Sequence, residues 1–101
     1  MHFLLFYDLA PNYLADRAIY RAEHLALAWA AQARGEIVLA GALSEPADRA
    51  VFLFQGDSDA AARAFVAADP YVNAGLVKGW SIRPWTTVVG ETASSPVRPG
   101  T

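Results

Sequence analysis

The chain has two histidines and no cysteine, so His24 is the side chain best suited to exchange protons near neutral pH. On a helix it falls about 100° from Leu25, beside Arg17, Arg21, Ala28 and Ala31, where small neighbours leave room for the ring. A carboxylate bonded to one ring nitrogen would fix its tautomer. Asp69 is the natural source. It lies four residues after Phe65 and seven after Ala62, so continuing that helix would aim it at the apolar stripe, and at a helix C-terminus an anion needs a compensating group such as His24 or Arg21. Asp69 followed by Pro70 is equally a natural N-cap and first position for a new turn. The two roles are compatible. The bland reading of His24, a surface histidine on an alanine-rich helix, stands beside the chemical one.

The remaining polar candidates carry less. Arg21 is placed to hold an anionic or phenolic oxygen. Tyr7 and Tyr71 can line a cleft and donate a hydrogen bond, or simply pack. Ser44 opens a loop where it can meet a ligand or only shape the turn. Arg83 can bind an anion or protect a strand edge, and His2, beside Met1, is expected at the surface. Two histidines without cysteine make no recognisable metal-ligand spacing, and there is no glycine-rich phosphate loop or nucleophile elbow, so no metal and no cofactor are expected.

These residues must be positioned by a small set of elements. Phe3 to Leu9 is an aromatic and aliphatic run closed by Pro11-Asn12, which reads as a strand. About Leu14 to Arg34 lacks Pro and Gly and ends at Gly35, which reads as a long helix. Its core face is expected at Ile19, Ala22, Leu25, Ala26, Trp29 and Ala33, with Asp16, Arg17, Arg21, Glu23 and Gln32 outside that arc. Glu36 to Leu43 and Ala50 to Gln55 read as a strand pair around a loop with Pro46. Gly56-Asp57-Ser58-Asp59 supplies capping side chains for a second helix, Ala60 to Ala68. Pro70 interrupts it, a turn runs to Gly75, and Val77 to Val89 reads as the last strand. Gly90 to Thr101 reads as a tail, so that residues 1–90 form one domain and 91–101 a loose extension. The order βαββαβ implies a ferredoxin-like α+β fold, an antiparallel sheet with two helices on one face. Both faces of the strands are apolar, Phe3/Leu5/Tyr7 against Leu4/Phe6 and Val51/Leu53 against Phe52/Phe54. The helix-free face is therefore expected to pack against a second copy.

Arg21-Ala-Glu-His24-Leu25 in the first helix and Asp69-Pro70-Tyr71-Val72-Asn-Ala-Gly75 before the last strand, with Pro84-Trp85 near its end, resemble the signatures of the YciI-like (YCII-related) family. The resemblance spans roughly residues 3 to 89; Gly41-Ala42-Leu43 stands where the family often has Gly-Pro. It implies a dimeric α/β-barrel assembly with a His/Asp pair in a cleft and, in a few members, lyase-like or dehalogenating chemistry on small ring compounds.

Composition narrows the field further. At 101 residues the chain is one domain, and 54% hydrophobic residues is more than a lone core of this size needs. Eight Lys/Arg against ten Asp/Glu, with no basic block, give no footprint for nucleic acid. No run reaches membrane-spanning length and no secretory leader is visible, so the expected compartment is the cytoplasm. The expectation is a homodimer that binds a small molecule. In it His24 serves as general acid/base, Asp69 as its orienting partner and Arg21 as the anion holder, for elimination, dehalogenation or isomerisation. The alternatives are a non-catalytic ligand-binding dimer and, because related α/β-barrel dimers include them, a haem or oxygen-dependent monooxygenase with His24 as axial ligand.

Overall fold

Eight residues of alternating apolar character at the start of the chain form the strand around which everything else is arranged. The computed structural model describes residues 1–100. In chain order it contains β1 (His2–Leu9), α1 (Tyr13–Ala33), β2 (Ile37–Ala42), β3 (Arg49–Gln55), α2 (Ala60–Ala68), α3 (Pro70–Asn73) and β4 (Val77–Trp85). The strands lie in the order β2-β3-β1-β4, every neighbouring pair antiparallel. This is the ferredoxin-like α+β fold, with β1 and β3 central and both long connections helical. No helix among the described residues is long and apolar enough to cross a membrane.

The alternation along β1 sorts its side chains. Phe3, Leu5, Tyr7 and Leu9 are buried, as are their neighbours Phe52 and Phe54 on β3, and Ala62, Phe65 and Val66 of α2 close over them. The rings interlock: Phe52 lies 4.8 Å from Tyr7 and 5.2 Å from Phe65, centroid to centroid. On the other face Leu4, Phe6, Val51 and Leu53 are only half-buried and Leu39 is 73% exposed.

Gly35 ends α1 as the sequence suggests. With φ +80° it follows Arg34, its N–H bonds the Gln32 carbonyl and the Glu36 N–H bonds that of Ala31, which is a Schellman closure. The α2 start differs in detail. Asp59 is the N-cap but turns its carboxylate to Arg63, and the Ser58 hydroxyl accepts from the Ala60 N–H instead.

Four expectations are corrected. The α1 face expected in the core points outward: Ile19 is 75% and Trp29 66% exposed, whereas Tyr13, His24 and Ala31 are buried, with Tyr20, Leu27 and Ala28 packed against the core. At 100° per residue the two faces lie about 180° apart. The helix is apolar nearly all round, and its inner face carries the histidine and arginines that made it read as the polar side. The last strand ends at Trp85, not Val89, since its pairing with β1 runs no further than His2 opposite Trp85. Residues after it are not loose. Ser95 N–H bonds the Thr87 carbonyl and Val97 N–H that of Val88, folding residues 93–97 back on 87–90; Thr101 of the expected tail lies outside the described residues. Finally, His2 is buried at 6% exposure beneath that returning segment, its Nδ1 2.6 Å from the Thr87 hydroxyl, which in turn meets Ser94.

Candidate functional site

Asp69 is 0% exposed and stands between α2 and α3, where its backbone is extended (φ −70°, ψ 119°). Pro70 explains the break: it has no N–H for the helix ladder, disfavours a helical Asp69 and sits well at the first position of α3. The carboxylate is then shared among three elements. Oδ1 accepts the Tyr71 N–H at 3.0 Å, as an N-cap does, and lies 2.8 Å from His24 Nδ1; Oδ2 accepts the Tyr7 hydroxyl at 2.7 Å. The capping role and the histidine-partner role, open alternatives in the sequence, are held by one residue at once.

Against an ionised carboxylate, which only accepts hydrogen bonds, Nδ1 of His24 is the donor, and in the neutral ring the free lone pair then lies on Nε2. The ring is clamped as well as bonded. It stacks on Tyr71 at 3.9 Å with an interplanar angle of 9°, and meets Phe65 and Phe52 edge-on at 6.0 and 6.3 Å. Nε2 has no hydrogen-bond partner among the described residues, and it is not sealed away as an unsatisfied buried atom. It keeps access to solvent.

That access is a cavity of about 570 Å³, of the size that holds a small organic ligand, between α1 and the β1-β3-β2 half of the sheet. Its existence is a matter of side-chain volume. A register shift between Ile37 and Leu39 sets Ala40 opposite Phe52 and Ala42 opposite Ala50, so the strands present alanines toward α1, which itself offers Ala28. Tyr7, Phe52 and Tyr71 form its aromatic floor, and Tyr13, Arg17 and Arg21 one wall. Among the described residues no group of three or more His, Cys, Asp or Glu is arranged to hold a metal ion.

Electrostatics distinguish the two tyrosines. Burial, then the charge of Asp69, then the hydrogen bond to it push the Tyr7 hydroxyl far above the usual tyrosine range, so it stays protonated and keeps donating to Asp69. Burial also pushes Tyr71 up, with Arg21 and Arg17 opposing.

Of the residues singled out in the sequence, His24, Asp69, Tyr7 and Tyr71 are in mutual contact and Arg21 lines the same cavity. Ser44 is exposed in the β2-β3 loop and does not line it. Arg83 pairs with Leu4 across β1 and β4, on the helix-free face and away from the cleft. Arg17, placed beside His24 in the sequence but not counted as a site residue, lines the cavity too, and Tyr13 was missed. Tyr13 stands eleven residues before His24, which places it on the His24 side of α1, a signal hidden by the wrong assignment of the inner face.

No curated protein matches the chain. Among solved structures it is similar to the 5-chloro-2-hydroxyhydroquinone dehydrochlorinase of Burkholderia phenoliruptrix AC1100, in complex with 2,5-dihydroxybenzoquinone, at 23% identity with a TM-score of 0.72. That likeness covers 86% of this chain and 95% of that one, and supports the fold. The family model of the YCII-related domain matches residues 1–86, taking in every element from β1 through β4, and with it the chain belongs to the YCII-related domain family.

Proposed function

We propose that the cleft is the active site of a small-molecule enzyme in which His24 Nε2 is the general acid/base, Asp69 orients it and Arg21 meets negative charge on the substrate. The observation that carries this reading is the 2.8 Å contact from His24 Nδ1 to a fully buried carboxylate, with the opposite ring nitrogen left unpartnered toward a cavity. A buried carboxylate is costly unless bonded, and here three donors meet it. The arrangement fixes which nitrogen holds the proton and which is free to take one.

Proton abstraction beside an electron-withdrawing group, followed by elimination or by return of the proton elsewhere, needs only such a base and a cation for the developing oxyanion. Lyase-like or isomerase-like chemistry on a small ring compound therefore suits the site. The dehydrochlorinase noted above is consistent with that class. The working unit in this reading is a homodimer formed through the helix-free sheet face, where Leu4, Phe6, Leu39, Val51 and Leu53 present apolar surface.

The test is turnover. Hydroxylated and halogenated ring compounds are screened with wild type for proton exchange or halide release, and the active compound is then given to His24→Gln. A fall in kcat of about 10²-fold or more is expected. Unchanged turnover would remove His24 from the chemistry, and a ligand retained chemically intact by wild type would make the cleft a binding site.

A further inference from the structure

The cavity wall holds two cations four residues apart on α1, Arg17 and Arg21, and no carboxylate lines the cavity. Like charges at this spacing oppose each other on a helix surface. Elsewhere in the chain Arg34, Arg49 and Arg63 each bond an acid, at 2.9, 3.1 and 3.0 Å to Glu36, Asp8 and Asp59. The two at the cleft do not. Arg17 lies 5.4 Å over the Tyr13 ring with a long 3.5 Å contact to its hydroxyl, and Arg21 makes no hydrogen bond or ion pair among the described residues. Both line the same cavity as Tyr71, the ring that stacks on His24. Asp69 bonds neither of them, its two oxygens being occupied by His24, Tyr7 and the Tyr71 N–H.

We propose that Arg17 and Arg21 together form a carboxylate-binding subsite, so that the substrate is a small planar ring compound carrying a carboxylate, held with its reacting carbon toward His24 Nε2. A phenolic oxygen needs one donor. Two guanidiniums offer two forks, and a carboxylate accepts from both. Along the helix Arg21 stands about 5 Å and Arg17 about 10 Å from His24, so a group held between them leaves a ring-sized interval before the histidine. The flat Tyr71-His24 stack and the Phe52 and Tyr7 rings suit a planar body in that interval. This deepens the active-site reading and rests on it for the role of His24, but not for the binding of the anion.

The experiment compares benzoate with benzamide, its neutral isostere, at millimolar concentration by two-dimensional NMR, following backbone amides and the arginine side-chain Nε–H signals. Wild type is expected to bind benzoate about tenfold more tightly than benzamide. Arg17→Gln and Arg21→Gln should each weaken benzoate about five- to tenfold and leave benzamide unchanged, and added salt should weaken benzoate alone. Equal affinity for the two compounds, no detectable benzoate binding, or benzoate affinity untouched in both arginine variants would overturn the proposal. His24→Gln separates the two readings. If it keeps both the benzoate preference and full turnover, the acid/base role fails while the carboxylate subsite stands.

Discussion

Asp69 and Tyr7 form one bond with two testable consequences. Tyr7→Phe leaves the buried Oδ2 without its donor, and a loss of about 1–3 kcal/mol is expected in urea unfolding. The pH dependence has a definite sign. An unfolded tyrosine ionises near 10, whereas Tyr7 in the fold holds its proton well beyond that. Below about pH 10 both states are protonated and Tyr7 contributes no slope; above it the unfolded chain releases a proton that the folded chain keeps, so stability falls as pH rises. Tyr7→Phe should flatten that alkaline limb, with Tyr71 accounting for part of what remains. Asp69→Ala removes the acceptor that fixes His24, and ring ¹⁵N NMR should then show a mixture of the two neutral tautomers in place of the Nδ1–H form. A pure Nδ1–H form in that variant would mean that another contact sets the tautomer.

At the scale of elements, the order of the strands and helices and their limits up to the start of β4 were legible because turn and cap residues mark them: Pro11-Asn12, Gly35, Pro70 and Gly75 each stand at a boundary, whereas no such residue marks the end of β4. The orientation of α1 was not legible. Hydrophobic periodicity assigns the most apolar arc inward, but here the inner arc holds His24 and is flanked by Arg17 and Arg21, while Ile19, Ala22, Ala26 and Trp29 face out. A site placed under a helix inverts the pattern by which a core face is recognised. The two faces should respond differently to added volume. Ala31→Leu, at a residue 1% exposed, should cost about 1–3 kcal/mol of stability by overpacking, whereas Ala22→Leu should change it by less than about 0.5 kcal/mol. The pairing of His24 with Asp69 was suggested by family resemblance and by the cost of a lone carboxylate. That Tyr7 would join from β1 depends on strand register, which no local pattern encodes.

At the scale of the molecule, the excess of apolar residues noted in the sequence appears in the structure as two uncovered surfaces: the outer stripe of α1 and the helix-free face of the sheet. The sheet face is the one proposed to pair two copies. Leu53→Asp would set a charge in the middle of that face, opposite Leu4 and Leu39 in the strand registers, and is expected to halve the mass measured by sedimentation at micromolar concentration while the fold persists. A wild type that already sediments as a monomer would refute the pairing.

The triple use of Asp69 has a consequence for how this scaffold can be re-targeted. Because one carboxylate ties β1, α1 and α3 together and also sets the histidine proton, drift at that position damages folding before it changes chemistry. The opposite bank of the cleft is under no such constraint, since Arg17, Arg21, Ala40 and Ala42 bear little of the core. On the active-site reading proposed above, new substrate preferences would be reached by exchanging side chains on that bank alone, with the His24–Asp69 half left as a fixed cassette.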